Sequence, residues 1–237
     1  MTCTMVTPYY EDKPQLIRHL SQGCLEQLDE IIIIDDCSPS EPAIDVVQDF
    51  KHLPISVYEV TKDLGFNAHG CRNLGVSQAE TEWVFLADVD QVISATAMNQ
   101  MLTRMRAAPM NTFVGAYDGQ NAAYNTYAVR REDYMMSGGY DEEFVNIHGG
   151  SRCFVDRLHT FLSIEYIDEA ISPSRNGRLL RTVEGQEYTE YDDFFIYHPK
   201  HTWDKVDELL EMAGKRTANP DSWLEKSFVD FEWRKLQ

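Results

Sequence analysis

The chain has 237 residues, of which 43% are hydrophobic, so it can bury a substantial core as one domain or slightly more. Its formal net charge of −18 excludes nucleic acid as a general partner, because no basic block offers contacts to a phosphate backbone. No run of the sequence approaches the roughly 20 apolar residues that cross a bilayer, so no integral membrane segment is expected.

The cysteines and the N-terminal residues indicate the compartment. The five cysteines are scattered without a C-x-x-C pair, which favours reduced, partly buried thiols over disulfides or a zinc site. Residues 1–20 lack the long apolar core of a signal peptide. We therefore expect a cytoplasmic protein.

Predicted strands and helices alternate through the first eighty residues. In chain order they are a strand at 4–7, a helix with apolar residues at helical spacing (Leu16, Ile17, Leu20, Cys24 and Leu28), a strand at 30–36, a helix that runs to Phe50, a strand at 55–60 and a helix in the later part of 61–75. This alternation favours right-handed crossovers and a parallel, doubly wound sheet. Ligands of such sheets lie beyond the carboxyl ends of the strands, where Pro8, Asp35 and Asp36 are expected to cluster.

The next strand begins at Trp83 and ends in two carboxylates. Five consecutive apolar residues at 83–87 indicate a strand that is buried on both faces. If the chain stays extended, Asp88 and Asp90 point the same way and form a hard oxygen site that suits Mg²⁺ or Mn²⁺. Alternatively, the two aspartates only cap the turn into the helix predicted at 94–105.

The pattern changes after Pro109. Strands predicted at 112–117 and 125–129 have no helix between them, so antiparallel additions to the sheet are the simplest interpretation. The remaining predicted elements are helices at 131–136 and 152–161, a polar loop at 172–193, and two amphipathic helices at about 201–213 and 221–233.

Five short segments occur in an informative order: residues 7–10 after the first strand, 34–38 after the second, 65–73 before the fourth, 88–90, and 138–144. In this order they resemble the GT-A-fold glycosyltransferases, most closely the family-two-like enzymes, over residues 3–160. The resemblance implies an α/β fold with a Rossmann-like, mainly parallel sheet flanked by helices, antiparallel additions and C-terminal helices. It also implies one catalytic domain at 1–200, with a nucleotide-binding half at 1–110 and an acceptor half at 111–200, and a helical extension at 201–237.

The resemblance implies a site for a nucleotide-sugar donor. Pro8 and Tyr9 would line the base and ribose pocket, and Asp36 would accept a hydrogen bond from the base, commonly uracil. The full set of implied donor-binding residues is Thr7, Pro8, Tyr9, Asp35, Asp36, Gly65, Asn67, Arg72 and Asp88. Structural alternatives stay open, in which Asp35 and Asp36 cap a turn, Tyr9 belongs to the core and Arg72 is a surface residue.

The same resemblance implies Mn²⁺ or Mg²⁺ as the cofactor. Asp90 would ligate the metal, and Asp88 would lie near the ribose or a metal-bound water, or join Asp90 as a ligand. In many such enzymes the third ligand is a histidine near the end of the catalytic domain. Here His198 is the preferred candidate, with His201 as an alternative and His148 as a lesser one.

An inverting transferase also needs a base that deprotonates the acceptor hydroxyl. In related enzymes an acidic residue often follows a tryptophan-glycine-glycine loop, but here Ser151 and Arg152 follow Gly149-Gly150. Asp156 is the nearest carboxylate, and Asp141 and Glu142 are rivals, so inversion and retention both stay open. Four aromatic residues are candidates either for stacking on an acceptor sugar or for the core: Tyr140, Phe144, His148 and Trp203.

The sequence thus predicts a metal-dependent glycosyltransferase of the hexosyltransferase type. UDP-sugar is favoured as the donor over GDP-sugar, and the acceptor is a saccharide or another hydroxyl compound. A sugar-nucleotide nucleotidyltransferase is an alternative, but it would need a glycine-rich, basic loop where 7–10 stand. A catalytically silent sugar- or nucleotide-binding domain is the other alternative, because no acid follows Gly150.

Overall fold

The computed structural model describes residues 1–117, 122–147, 149–173, 181–183, 186–188 and 201–237. In chain order the strands are β1 Cys3–Tyr9, β2 Glu30–Asp35, β3 Ile55–Val60, β4 Trp83–Leu86, β5 Gln91–Val92, β6 Thr112–Tyr117, β7 Ala122–Arg130, β8 Ser163–Tyr166, β9 Ser172–Pro173, β10 Arg181–Val183, β11 Gln186–Tyr188 and β12 Trp233–Lys235. The α-helices are α1 Lys13–Leu20, α2 Ala43–Val47, α3 Ala68–Gln78, α4 Ala95–Ala107, α5 Arg131–Met136, α6 Gly150–Leu158 and α7 His201–Thr217.

One eight-stranded sheet organises the fold. Its strand order is β12-β3-β2-β1-β4-β7-β6-β8. Strands β3, β2, β1 and β4 are parallel neighbours, and β7 runs antiparallel to both β4 and β6. The predicted parallel sheet with antiparallel additions is therefore confirmed.

Helices cover both faces of this sheet because the central strands are apolar on both sides. In β2 the isoleucines at 31–34 are all buried, and they alternate between two core clusters. On one face they pack with Leu16 of α1 and Met98 of α4. On the other face they pack with Leu74 of α3 and Phe154 of α6. Each fully buried side chain of this size contributes about 1.5–3 kcal/mol, so the strand order is held by the core.

The first helix is shorter than its periodicity predicts. Helix α1 ends at Leu20, and a separate 3-10 helix follows at Gly23–Gln27. Asp12 caps the start of α1, since its carboxylate accepts the backbone N–H of Gln15 at 3.2 Å. The prediction of one continuous helix to Leu28 is wrong because the chain turns at 21–22, just before Gly23, and the apolar residues beyond the turn pack against the core from a new direction.

The predicted terminal helix at 221–233 is also wrong. A 3-10 turn at Pro220–Ser222 is followed by irregular chain and then by β12, which pairs antiparallel with β3. Without β12, β3 would leave a row of unpaired backbone groups at the sheet edge. The Trp233 ring packs against Tyr58 with its centroid 5.7 Å away. Edge pairing and this aromatic contact outweigh the local helical periodicity.

The stretch at 172–193, expected as a polar loop, contains short strands where the structure describes it. Strand β9 pairs with β5, and β10 pairs with β11. The pairing of β9 with β5 brings Pro173 beside Gln91, next to the predicted metal site. Among the described residues, no helix combines the length and apolar character that a membrane crossing requires.

Candidate active site

The predicted site residues that follow β2 meet the start of α3. Asp36 accepts the backbone N–H of Asn67 through Oδ2 at 3.0 Å, and its own N–H donates to the Tyr9 carbonyl at 2.8 Å. Asp36 is 3% exposed and Asn67 is 1% exposed. Among the described residues, neither the side-chain oxygen nor the side-chain nitrogen of Asn67 has a hydrogen-bond partner. Buried amides are normally paired, so this one is suited to a polar ligand that binds beside Asp36.

Tyr9 and Asp35 make contacts inside the protein instead. The Asp35 carboxylate accepts the backbone N–H groups of Ser38 at 2.8 Å and Ala43 at 2.7 Å, which closes the turn into α2. Burial raises the pKa of Asp35 despite these hydrogen bonds. The Tyr9 hydroxyl donates to the Glu41 carbonyl at 2.5 Å, and the ring is buried. These are the turn-capping and core alternatives that the sequence left open for the two residues.

Thr7, Pro8 and Gly65 surround the same corner. Thr7 is buried and Pro8 is half-buried at the end of β1. Gly65 has φ +83, and a Cβ added there would lie 2.2 Å from Oδ1 of Asn146. That Asn146 oxygen accepts the Phe66 N–H at 2.6 Å, so Gly65 allows the close approach of two loops.

Arg72 and Asp88 form the charged centre of the site. The Arg72 guanidinium is paired with Oδ1 of Asp88, and Asn125 donates to Oδ2 at 3.1 Å. Arg72 is 3% exposed, and its guanidinium lies over the Tyr140 ring, 5.3 Å from the centroid. Burial acts to lower the pKa of Arg72, but the interactions with Asp88, Tyr140 and Tyr127 together outweigh it, so the pKa is raised. Asn125 is a site residue that sequence reasoning missed, and its only signal is a polar side chain within β7.

Asp88 and Asp90 do not continue the strand. Strand β4 ends at Leu86, and residues 89–90 form a turn, so the condition of an extended chain is not met. Asp90 is partly exposed, and its Oδ1 accepts the Gln91 side-chain N–H at 3.3 Å. The charge of Asp88 is thus paired with a guanidinium, whereas Asp90 is a carboxylate on a partly exposed turn.

The residues present fit a metal ion that takes few ligands from the protein and the rest from the substrate. Mg²⁺ commonly takes one or two carboxylates and completes its shell with water and substrate phosphates, and Mn²⁺ accepts the same oxygen ligands. Within the part of the chain that the structure describes, no group of three histidine, cysteine, aspartate or glutamate residues could hold a metal by itself. His198, His148 and the side chains of His201 and Trp203 lie outside the described residues.

The three carboxylates predicted as a catalytic base each have structural contacts. Asp141 is fully buried between Arg157 on Oδ2 and Arg216 on Oδ1. Glu142 accepts the Asn73 amide at 2.8 Å and the Val229 backbone N–H at 2.7 Å. Asp156 is 55% exposed on α6 and lies 3.7 Å from Arg152 in an ion pair. The base stays a prediction: Asp141 and Glu142 are buried in these contacts, whereas Asp156 stays 55% exposed.

Tyr140 and Phe144 belong to the core rather than to an open surface. Both rings are 0% exposed. Tyr140 stacks on His69 at 5.1 Å between centroids, and its hydroxyl lies 3.0 Å from that of Tyr127. The core alternative for these two aromatics therefore describes their contacts.

His19 is a buried residue that contacts two segments of the candidate site. Its Nε2 lies 3.4 Å from the Thr7 hydroxyl, and its Nδ1 lies 3.4 Å from the Gln91 carbonyl, next to Asp90. Burial lowers the pKa of His19 to about 4. The ring is therefore neutral in the folded protein at neutral pH.

We expect His19 to make stability depend on pH. The unfolded chain takes up a proton near the ordinary histidine pKa of about 6.5, while the folded protein does not. Stability therefore falls as the pH is lowered from about 6.5 to about 4, by about 3 kcal/mol in total. Urea unfolding at several pH values measures this slope, and His19→Gln should be flatter than wild type. Equal slopes in both proteins would show that His19 is not the group responsible.

Comparisons with known proteins agree with this fold. The sequence model described as Glycosyl transferase family 2 matches residues 4–159. The structure of S. aureus TarS 1–349 with UDP-GlcNAc aligns with a TM-score of 0.63 and 15% identity, over 94% of this chain and 70% of that one. The mannosyltransferase PcManGT from Pyrobaculum calidifontis, in complex with GDP-Man and Mn²⁺, aligns with a TM-score of 0.56 and 17% identity, over 73% of this chain and 58% of that one.

The match to TarS 1–349 in complex with UDP has a TM-score of 0.59 and 17% identity over 72% of this chain, and it spans 59% of the TarS chain. None of the curated proteins compared with the chain matches it. At these identities the structural likeness concerns the fold.

Proposed function

Because the chain belongs to glycosyl transferase family 2, we propose that it transfers a sugar from a nucleotide-sugar donor to an acceptor hydroxyl. UDP-sugar is the favoured donor and GDP-sugar the second choice. The observation that carries this proposal is the convergence of Asp36, Asn67, Arg72 and Asp88 at the carboxyl ends of parallel strands. Ligands of doubly wound sheets bind at this edge.

Each of these groups suits one part of such a donor. Asp36 and the unpaired Asn67 amide offer acceptors and donors for the edge of a base. The Nε atom of Arg72 has no hydrogen-bond partner in the part of the chain that the structure describes, and the guanidinium would lie close to a diphosphate bound near Asp88. Because Arg72 balances the charge of Asp88, this carboxylate can accept a hydrogen bond from a sugar hydroxyl without strongly repelling the donor phosphates.

Asp90 would hold Mn²⁺ or Mg²⁺ together with the donor phosphates. When bound, the cation neutralises the negative charge that develops on the departing nucleoside diphosphate. Asp90 sits on a turn beside Asp88, partly open to solvent, which suits a carboxylate that must meet a ligand. The GDP-Man and Mn²⁺ in the structure of PcManGT, and the UDP, GalNAc and Mn²⁺ in a structure of GalNAc-T7, support this assignment by analogy.

We expect UDP with Mn²⁺ to raise the melting temperature, and Asp36→Asn to weaken this effect. At a hundredfold excess over its dissociation constant, a nucleotide stabilises the folded state by about 2.7 kcal/mol. Asp36→Asn replaces a charged acceptor, so UDP affinity should fall by about ten- to a hundredfold. A thermal-shift titration with UDP, GDP, UMP and ADP measures both quantities.

The exposed Asp49 offers a matched control, since Asp49→Asn makes the same change far from the candidate site. The control should bind UDP as wild type does. If no nucleoside diphosphate shifts the melting temperature of the wild-type protein, the donor site is refuted. A shift by GDP alone would reverse the order of the two donor classes.

A catalytically silent binding domain is the second candidate. The observation in its favour is that Asp141, Glu142 and Asp156 are all held in other contacts. Release of UDP or GDP from a nucleotide sugar distinguishes the two functions, because a silent domain binds the donor without turnover.

A further inference from the structure

One hydrogen bond joins the start of α3 to the start of α6. His69 Nε2 and Ser151 Oγ lie 3.2 Å apart. The imidazole is only 4% exposed, whereas Ser151 is partly exposed. The hydroxyl of a partly exposed serine therefore contacts a buried imidazole.

Helix α3 places this pair beside the proposed donor site. His69 follows Asn67, whose N–H binds Asp36, and it precedes Arg72, which binds Asp88. Three residues correspond to about 4.5 Å along a helix and less than one turn, so His69 and Arg72 share a face. Both side chains pack on the Tyr140 ring, at 5.1 Å for His69 and 5.3 Å for Arg72.

Two glycines let α6 approach His69 closely. Gly149 has φ +107, a left-handed conformation that favours glycine. A Cβ on Gly150 would lie 2.8 Å from Cε1 of His69 and 2.9 Å from Cγ of Phe144. Any larger residue at 150 would push the helix start away, and the Ser151 hydroxyl with it. Gly149-Gly150 therefore brings a serine, rather than an acid, to this position.

We propose that Ser151 and His69 together take up the proton of the acceptor hydroxyl in the transfer reaction proposed above. The acceptor O–H donates to Ser151 Oγ, and Ser151 passes its own proton to Nε2 of His69, which serves as acceptor in the tautomer that leaves this nitrogen unprotonated. As the acceptor oxygen bonds to the sugar C1, the bond from C1 to the diphosphate breaks, and the diphosphate leaves with its electron pair. The imidazolium later returns its proton to solvent, which restores the pair.

In this scheme Ser151 touches the substrate, and His69 is a positioning residue that acts through the hydroxyl. The ionisable groups on the elements packed against His69 are Cys71 and Arg72 on α3, Tyr140, Asp141, Glu142 and Glu143 at the turn, and Arg152, Cys153, Asp156 and Arg157 on α6. Of these, Tyr140 contacts the ring directly, and its pKa is raised to about 12 by burial, so it stays neutral near pH 7. Asp141 is neutralised by Arg157 and Arg216.

The donor for the test is whichever of UDP-GlcNAc, UDP-glucose and GDP-mannose stabilises the protein. The test measures the release of UDP or GDP from that donor in the presence of Mn²⁺. Water is the acceptor, and the pH ranges from 5 to 9. His69→Gln keeps a hydrogen-bonding side chain but cannot take up the proton. We expect its turnover to fall by about a hundredfold. Its affinity for the nucleotide should stay within threefold of wild type. The decline of activity at low pH should be absent from this variant.

Ser151→Ala changes a partly exposed side chain, so it tests the same idea with little risk to folding. Its turnover should fall at least tenfold. His159→Gln is the matched control, because His159 is an exposed residue at the end of α6. Turnover within threefold of wild type in His69→Gln or Ser151→Ala would overturn the inference.

If the wild-type protein binds a donor but releases no nucleotide, the proposed proton transfer through Ser151 and His69 is overturned, while the proposed donor site is retained. Failure of every nucleoside diphosphate to bind would instead remove the proposed function itself. The two failures are therefore distinguishable.

Discussion

Asp90→Asn is expected to lower donor turnover about a thousandfold, which corresponds to about 4 kcal/mol in the free energy of the transition state. The substitution keeps the shape of the side chain and removes its negative charge. A cation would then bind weakly where the leaving diphosphate needs it. Release of UDP or GDP from the stabilising nucleotide sugar, measured across a Mn²⁺ titration, gives both the rate and the metal concentration that supports it.

Asp168→Asn is a suitable control, because the Asp168 side chain is 80% exposed and its carboxylate forms a surface ion pair with Arg104. Its turnover should match that of wild type. A high Mn²⁺ concentration should partly restore the turnover of the Asp90→Asn variant, because the donor phosphates still provide oxygen ligands for the metal. A variant that keeps a tenth or more of the wild-type rate without added metal would contradict the assignment of Asp90.

Arg157→Met is expected to cost about 3 kcal/mol of folding stability. Arg157 is fully buried, pairs with Asp141 and donates to the carbonyls of Ser137 at 3.1 Å and Gly139 at 2.8 Å. Methionine would leave the carbonyl groups of Ser137 and Gly139 buried without this donor. Breaking a buried pair in this way typically costs about 3–5 kcal/mol, and the remaining Asp141–Arg216 pair favours the lower end of that range.

Equilibrium unfolding in urea measures this loss. Arg152→Met provides the contrast, because Arg152 is 71% exposed and its ion pair with Asp156 lies on the surface of the same helix. Such a pair contributes less than about 1 kcal/mol. If both variants lose the same small amount, the Arg157 cluster does not hold the turn at 138–144.

The turn at 138–144 also gives the predicted acids Asp141 and Glu142 contacts inside the protein. The turn at 138–144 is held from three directions. Arg157 of α6 and Arg216 of α7 bind Asp141, and Val229 near the chain end binds Glu142. The carbonyl of Tyr140 accepts the amide of Asn73 at 3.0 Å. The C-terminal segment thus fixes a turn that carries Tyr140, the ring on which Arg72 and His69 both pack.

Much of the fold was accessible from the sequence because the signals are local and strong. The run of isoleucines in β2 and the apolar strand β4 could only be central strands, and alternation with helices implies parallel neighbours. The terminal strand β12 was not accessible in this way. It exists because β3 offers an unpaired edge, and no sequence period within 221–233 reports a partner more than 170 residues away.

Some features of the candidate site were likewise accessible from the sequence, and others were not. The sequence by itself placed Asp36 and Asp88 after the carboxyl ends of strands, because strand and turn patterns are local, and the family resemblance added Arg72 to the predicted site. Only the tertiary structure decided how charges pair: it gave Arg72 and Asn125 to Asp88, and it enclosed Asp141 between two arginines. The physical reason is that hydrogen bonds and ion pairs join side chains from distant elements, and their choice depends on burial and distance, which sequence spacing does not record.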